Sequence, residues 1–143
     1  MSAASADFER CLSVGGVAVF PSDTVYGLAC DPGDRLAVER LYRLKRRPLN
    51  KPSAVMFFDV ELAVDVLEEL GRRTRVALLE LLPGPVGVLL PNPAERFPLA
   101  CGDDRRTLGL RVPRVDLLAE VKWPVLQSSA NLAGGPDPRV LDE

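Results

Sequence analysis

Residues 17–51 read VAVFPSDTVYGLACDPGDRLAVERLYRLKRRPLNK. Residues 17–20 are a continuous apolar run with two β-branched members, closed by Pro21, which is the pattern of a short buried strand. Residues 21–27 read as a turn rich in hydroxyls. Asp34 suits a helix N-cap. After it Ala37, Val38, Leu41 and Leu44 make one apolar stripe, with Arg35, Glu39, Arg40 and Arg43 opposite. Pro48 forbids continuation of that helix. A buried strand, a polar turn and an amphipathic helix in this order predict an α/β domain rather than an all-helical or all-strand one.

The pattern continues on both sides. Upstream, Phe8, Cys11 and Leu12 sit at helical spacing, and Gly15-Gly16 ends that helix. Downstream, residues 53–58 read as a second buried strand. Residues 61–70 and 73–82 read as two helices split by Gly71, and Pro83-Gly84-Pro85 is a stop. Residues 86–90 and 108–112 are further strands, joined by a loop carrying Pro91, Pro93 and Pro98. Residues 116–121 form a short helix. Residues 125–127 form a last strand, which runs into Ser128-Ser129-Ala130-Asn131, and residues 133–143 read as loop. No repeat of fixed period and no internal linker interrupts the chain, so residues 1–143 are expected to be one domain. The expected fold class is α/β with α+β character: a twisted, open, mixed β-sheet with helices packed on its faces. Neither GxGxxG nor a Walker A loop is present, so any nucleotide must be held by another device.

Composition narrows the chemistry. The 143 residues are 47% hydrophobic and 27% charged, with net charge −2, and mean hydropathy is +0.07. These are the values of an ordinary globular protein. There is no histidine, which removes His-dependent triads, His-ligated zinc and histidine general bases. Cys11, Cys30 and Cys101 form no CxxC and number three, so they are expected to be small buried thiols in a reducing compartment. Residues 1–9 lack the apolar core of a signal peptide, and no apolar run approaches a membrane span. The expected location is the cytoplasm, away from any membrane.

Four features could carry chemistry. Residues 40–51 hold Arg40, Arg43, Lys45, Arg46, Arg47 and Lys51 with no acid among them. Cations at a helix C-terminus complement the helix dipole, which suits Arg40 and Arg43. Lys45, Arg47 and Lys51 flank Pro48, where a rigid turn suits a polyphosphate: arginine offers a planar fork and lysine a compact charge. The segment 21–28, PSDTVYGL, is either an ordinary Asx or Ser/Thr turn or a ligand-facing strand terminus. Residues 128–131, SSAN, either cap the chain locally or hydrogen-bond a ribose, phosphate or carboxylate. Arg111 lies within an apolar strand and needs a partner, either an acid such as Asp116 or an anionic ligand. Together these features suggest a ligand site at one edge of a sheet.

The series PSDTVYGLACD, AVERLYRLKRRPLNKPSAVMF, LLPGPVGVLL, TLGLRVP and LQSSANLAGGPDP resembles the YrdC-type threonylcarbamoyl-adenylate synthases, in that family's order and spacing from Gly15 to about Asp137. The resemblance implies a YrdC-like fold, often likened to a double-stranded-RNA-binding fold. It implies use of ATP with Mg2+, L-threonine and bicarbonate to make threonylcarbamoyl-AMP and pyrophosphate. That is the first step of N6-threonylcarbamoyladenosine synthesis in tRNA, completed by partner proteins that transfer the group. It further implies Lys45 and Arg47 as catalytic residues and Lys45, Arg47, Lys51, Ser129 and Asn131 around ATP. Thr24, Arg111 and Gln127 would bind L-threonine, and no metal ligand is expected from the chain. Met56 stands where some members carry histidine, and Asp137 where a small hydroxyl residue is common. The family domain continues with further strands, so the C-terminal portion is expected to be missing, leaving an unpaired sheet edge beside residues 125–127. Two other readings use the same features: a non-catalytic RNA- or nucleotide-binding module, and a carbamoyl-transfer domain of a maturation enzyme.

Overall fold

The computed structural model describes residues 2–139. Helix α1, Ala3–Ser13, is capped by Ser2, whose hydroxyl accepts the Ser5 N–H at 3.2 Å. Ser5, Phe8 and Leu12 face inward at i, i+3, i+7 spacing. Gly15, at φ 79°, turns the chain out of the helix. Strand β1, Ala18–Pro21, forms an antiparallel hairpin with β2, Tyr26–Cys30. Helix α2, Arg35–Lys45, is capped by Asp34, whose Oδ1 accepts the Ala37 N–H at 3.1 Å. Strand β3, Ala54–Met56, is followed by α3, Val60–Val66, and α4, Arg72–Leu81. Strands β4, Gly87–Pro91, β5, Thr107–Arg111, and β6, Val125–Ser129, complete the sheet, with 3-10 turns at Pro98–Ala100 and Asp116–Leu118.

The strand order is β1-β2-β6-β3-β5-β4. Among the described residues β3 and β5 run parallel and the other neighbours run antiparallel. The sheet is therefore mixed and open. Because side chains alternate across a strand, Val55, Leu110 and Leu126 share one face and pack with Leu41 and Tyr42 of α2 and with residues of α3 and α4. On the other face Phe8 of α1 meets Phe20 and Phe58 edge-to-face, with centroids 5.7–6.2 Å apart. Met56, Val125 and Leu118 join that second core. The remainder of this face, over β3, β4 and β5, holds a groove of about 460 Å³ lined by Ser53, Ala54, Leu89, Thr107, Gly109 and Arg111.

Three expectations change. Residues 26–30 are a strand, not a turn and its exit: Gly27 breaks the apolar pattern, yet its bare Cα lets the Phe20 ring approach. A Cβ there would sit 2.8 Å from the ring. Strand β6 is central, paired on both sides, so no unpaired edge lies beside residues 125–127; β1 and β4 are the edges. The inward stripe of α2 takes in Tyr42 and Lys45, whereas Leu44 is exposed. The loop expected after β6 is tied back to β2, because the Pro138 carbonyl accepts the Tyr26 N–H at 2.9 Å.

Candidate active site

Two clusters form at the end of the sheet where β1 turns into β2 and β6 leaves. The first centres on Lys45, the last residue of α2. Its side chain is only 3% exposed. Its Nζ donates to the carbonyl and hydroxyl of Ser129 and to Asn131 Oδ1. The Ser129 hydroxyl donates to the same Asn131 oxygen, and Asn131 Nδ2 donates to the Gly135 carbonyl at 2.9 Å. Three acceptors match the three N–H bonds of an ammonium, which is what a buried lysine requires. Burial nevertheless pulls the Lys45 pKa below its ordinary 10.5, and the Arg47 charge adds to that.

Beyond α2, Arg46 adopts φ 52° and turns the chain, and Arg47 swings toward β3. Arg47 Nη2 donates to the Pro52 carbonyl at 2.7 Å. Its Nε is buried without a hydrogen-bond partner among the described residues. The Lys51 side chain is exposed. Its carbonyl accepts the Tyr42 hydroxyl at 2.7 Å, and Tyr42 also meets the Ser53 hydroxyl at 2.7 Å. Those two bonds fix the turn against the helix carrying Lys45.

The second cluster joins Arg111 to the β1–β2 turn. Arg111 Nη2 lies 3.4 Å from both Asp23 Oδ1 and Thr24 Oγ1. The acid partner of Arg111 is thus Asp23, from the far end of the chain, and not Asp116. Asp23 Oδ2 also accepts the Arg114 N–H at 3.1 Å. The Ser22 hydroxyl closes the turn by accepting the Thr24 and Val25 N–H groups. The two clusters are linked through backbone: Ser129 pairs with Gly27, and the Ala130 N–H bonds the Tyr26 carbonyl at 2.9 Å. Gln127 is 4% exposed and pairs with Ala54 and Ala29, so by alternation it faces the same side as Arg111. Its Nε2 lies 3.3 Å from where a Cβ of Gly27 would be.

Of the residues singled out in the sequence, the structure joins Thr24 to Arg111, and Lys45 to Ser129 and Asn131. It sets Gln127 on the shared face, places Arg47 at the turn beside them, and leaves Lys51 outward. Met56 is fully buried in the second core, not lining the groove, and Asp137 is exposed. Asp23 was not singled out. The signal that could have found it was the need of Arg111 for an acid, with Asp23 inside a polar turn. A larger cavity of about 590 Å³ lies between α1 and Trp123-Pro124; none of the converging side chains lines it, so its size does not make it the reactive site.

The family model Sua5/YciO/YrdC, described as telomere recombination, matches residues 10–143. Threonylcarbamoyl-AMP synthase of Hahella chejuensis is 34% identical over 134 residues, covering 91% of this chain and 72% of that protein. Sua5 of P. abyssi, complexed with L-threonine, superposes with a TM-score of 0.78 at 25% identity, over 92% of this chain and 40% of that one. Full-length HypF in its phosphate- and nucleotide-bound form superposes with a TM-score of 0.76 at 26% identity, over 99% of this chain and 22% of that one. The chain thus spans about two-fifths of the Sua5 chain and about a fifth of the HypF chain.

Proposed function

The chain belongs to the Sua5/YciO/YrdC family, and from that premise we propose that it is a nucleotidyltransferase making L-threonylcarbamoyl-AMP and pyrophosphate from L-threonine, bicarbonate and ATP. The observation that carries this reading is the pairing of two chemistries at one sheet end. Arg111 is presented beside Thr24, while Lys45 is bonded to Ser129 and Asn131 with the Arg47 charge near enough to act on it. An arginine fork fits an α-carboxylate; a lysine, an arginine and short polar side chains fit a triphosphate.

In this reading Arg111, Thr24 and Gln127 hold L-threonine. Lys45, Arg47, Lys51, Ser129 and Asn131 hold ATP. The amine of threonine joins bicarbonate as a carbamate, with loss of water. A carbamate oxygen then forms a bond to the α-phosphorus, the bond to the bridging oxygen breaks, and pyrophosphate leaves. Lys45 and Arg47 neutralise the charge that accumulates on the phosphates, and rigid placement supplies the rest. The buried unpartnered Nε of Arg47 fits this role, since an orphaned donor costs about 1–3 kcal/mol that a phosphate oxygen could offset. Binding to Lys45 would exchange one of its three protein acceptors for a phosphate oxygen.

Mg2+ would enter this reading with ATP, where it would offset phosphate charge alongside Lys45 and Arg47. Among the described residues no group of three or more Cys, Asp or Glu side chains is placed to hold a metal. In this reading residues 1–143 form a single YrdC-like domain in a cytoplasmic, reducing setting. The product passes to tRNA through partner proteins that perform the transfer. Among the described residues no helix is long and apolar enough to cross a membrane.

Incubating the protein with ATP, L-threonine and bicarbonate tests the reading. Pyrophosphate that requires all three supports it. AMP exchange driven by carbamoyl phosphate would replace it with carbamoyl transfer. Steeply salt-dependent RNA binding without ATP binding would replace it with an RNA-binding module.

A further inference from the structure

We propose that Asp23 is a positioning residue that sets the Arg111 guanidinium over the open sheet face before any amino acid arrives. The inference rests on the synthase reading above. Asp23 and Arg111 have side chains only 11% and 16% exposed, so the pair is largely removed from solvent screening. Asp23 divides its oxygens: Oδ1 faces Arg111 Nη2 at 3.4 Å, and Oδ2 accepts the Arg114 N–H at 3.1 Å. The second bond comes from the backbone just past β5. It keeps the carboxylate from rotating away from the strand that carries Arg111.

The neighbouring residues reinforce this. Ser22 folds the turn by accepting the N–H groups of Thr24 and Val25. Thr24 Oγ1 then meets the same Nη2 at 3.4 Å. The contacts that Arg111 makes to this turn pass through Nη2, so its Nε–H and Nη1 N–H bonds are not spent on the turn and are left to an anionic ligand. An unrestrained arginine loses rotamer freedom when it binds; one held in place beforehand loses less. The clamp therefore acts on the amino-acid half of the site alone, because Lys45, Ser129 and Asn131 are ordered by their own hydrogen bonds.

The test compares wild type, Asp23→Asn, Asp23→Glu and Arg111→Ala in the pyrophosphate assay. An amide still accepts the Arg114 N–H but carries no charge for Arg111. Asp23→Asn should raise the threonine KM roughly tenfold or more and leave the ATP KM within about twofold, as expected for lost preorganisation of one substrate. Asp23→Glu should recover part of the loss. In an Arg111→Ala background, Asp23→Asn should add nothing. An unchanged threonine KM, an equal rise for both substrates, or full additivity would overturn the proposal. If Asp23→Asn does not fold, the Arg111 Nη signals in wild-type NMR spectra decide. Separate Nη1 and Nη2 signals without threonine, from a guanidinium held against rotation, support the clamp, and one rapidly averaged signal overturns it. A wild-type chain that makes no threonine-dependent pyrophosphate would instead overturn the synthase reading, while those signals still judge the clamp.

Discussion

Arg47 donates to the Pro52 carbonyl and keeps a buried Nε unpartnered among the described residues. Arg47→Ala should therefore weaken ATP binding by about 1.5–3 kcal/mol, the range for a charge-assisted hydrogen bond, and lower stability by roughly 1 kcal/mol for the lost brace. Calorimetry with ATP and a melting curve read the two separately. A larger loss in melting than in binding would make Arg47 a structural residue only. Arg111→Ala should raise the threonine requirement far more than the ATP requirement, and Arg111→Lys should rescue poorly because an ammonium cannot fork two oxygens. Equal loss for both substrates would show that Arg111 merely secures β5 to the turn. Lys45 supplies a pH prediction. Its folded pKa lies below its ordinary 10.5, so the folded chain gives up this proton before the unfolded chain does. The ionised form thus carries a stability penalty that lifts as pH rises through the window beneath 10.5. Phosphate affinity moves the other way, and ATP binding followed over that alkaline range should weaken as Lys45 loses its charge.

Among the elements, α2 matters most to the site, because its C-terminal residue is Lys45. Its start is held by the bond from the Ala37 N–H to Asp34. Removing that cap with Asp34→Ala should cost about 1 kcal/mol, within the usual range for N-caps. Thermal melting reads this directly. ATP affinity should change less, since Lys45 is also held at its own end by Ser129 and Asn131. The legibility of the elements followed local chemistry. The Asp34 cap and the Pro83-Gly84-Pro85 stop were plain. Strand β2 was not, because its hydrogen bonds come from β1 and β6, partners that no local window contains.

At the scale of the whole molecule, the two faces of the sheet divide the work. One face is packed by α2, α3 and α4. The other is closed at one end by the Phe8, Phe20 and Phe58 cluster and bears the groove at the other. Phe20→Ala should cost about 3–5 kcal/mol, the usual loss for a buried phenylalanine. The site should suffer with it, because the Phe20 ring packs over Gly27, the partner of Ser129. Urea unfolding measures the first effect. Threonine-dependent pyrophosphate release measures the second, and unimpaired release at half the stability would separate the core from the site.

What residue order settled is local and compositional. The absence of histidine, the basic run 40–51, the caps and stops of the helices, and the motif series are read from composition or short stretches, so an α/β sheet and a set of candidate site residues could be named from them. Pairing across long separations could not. That β6 lies between β2 and β3 rather than at an edge depends on hydrogen bonds to residues 27–30 and 54–56. That Arg111 is balanced by Asp23, 88 positions away in the chain, and not by nearby Asp116 depends on the β1–β2 turn reaching over the sheet face. Burial of Lys45 beside Ser129 and Asn131 likewise needs the end of α2 to meet the end of β6. Such contacts form only when packing brings distant strands together, because a buried charge takes whichever partner the closed fold presents.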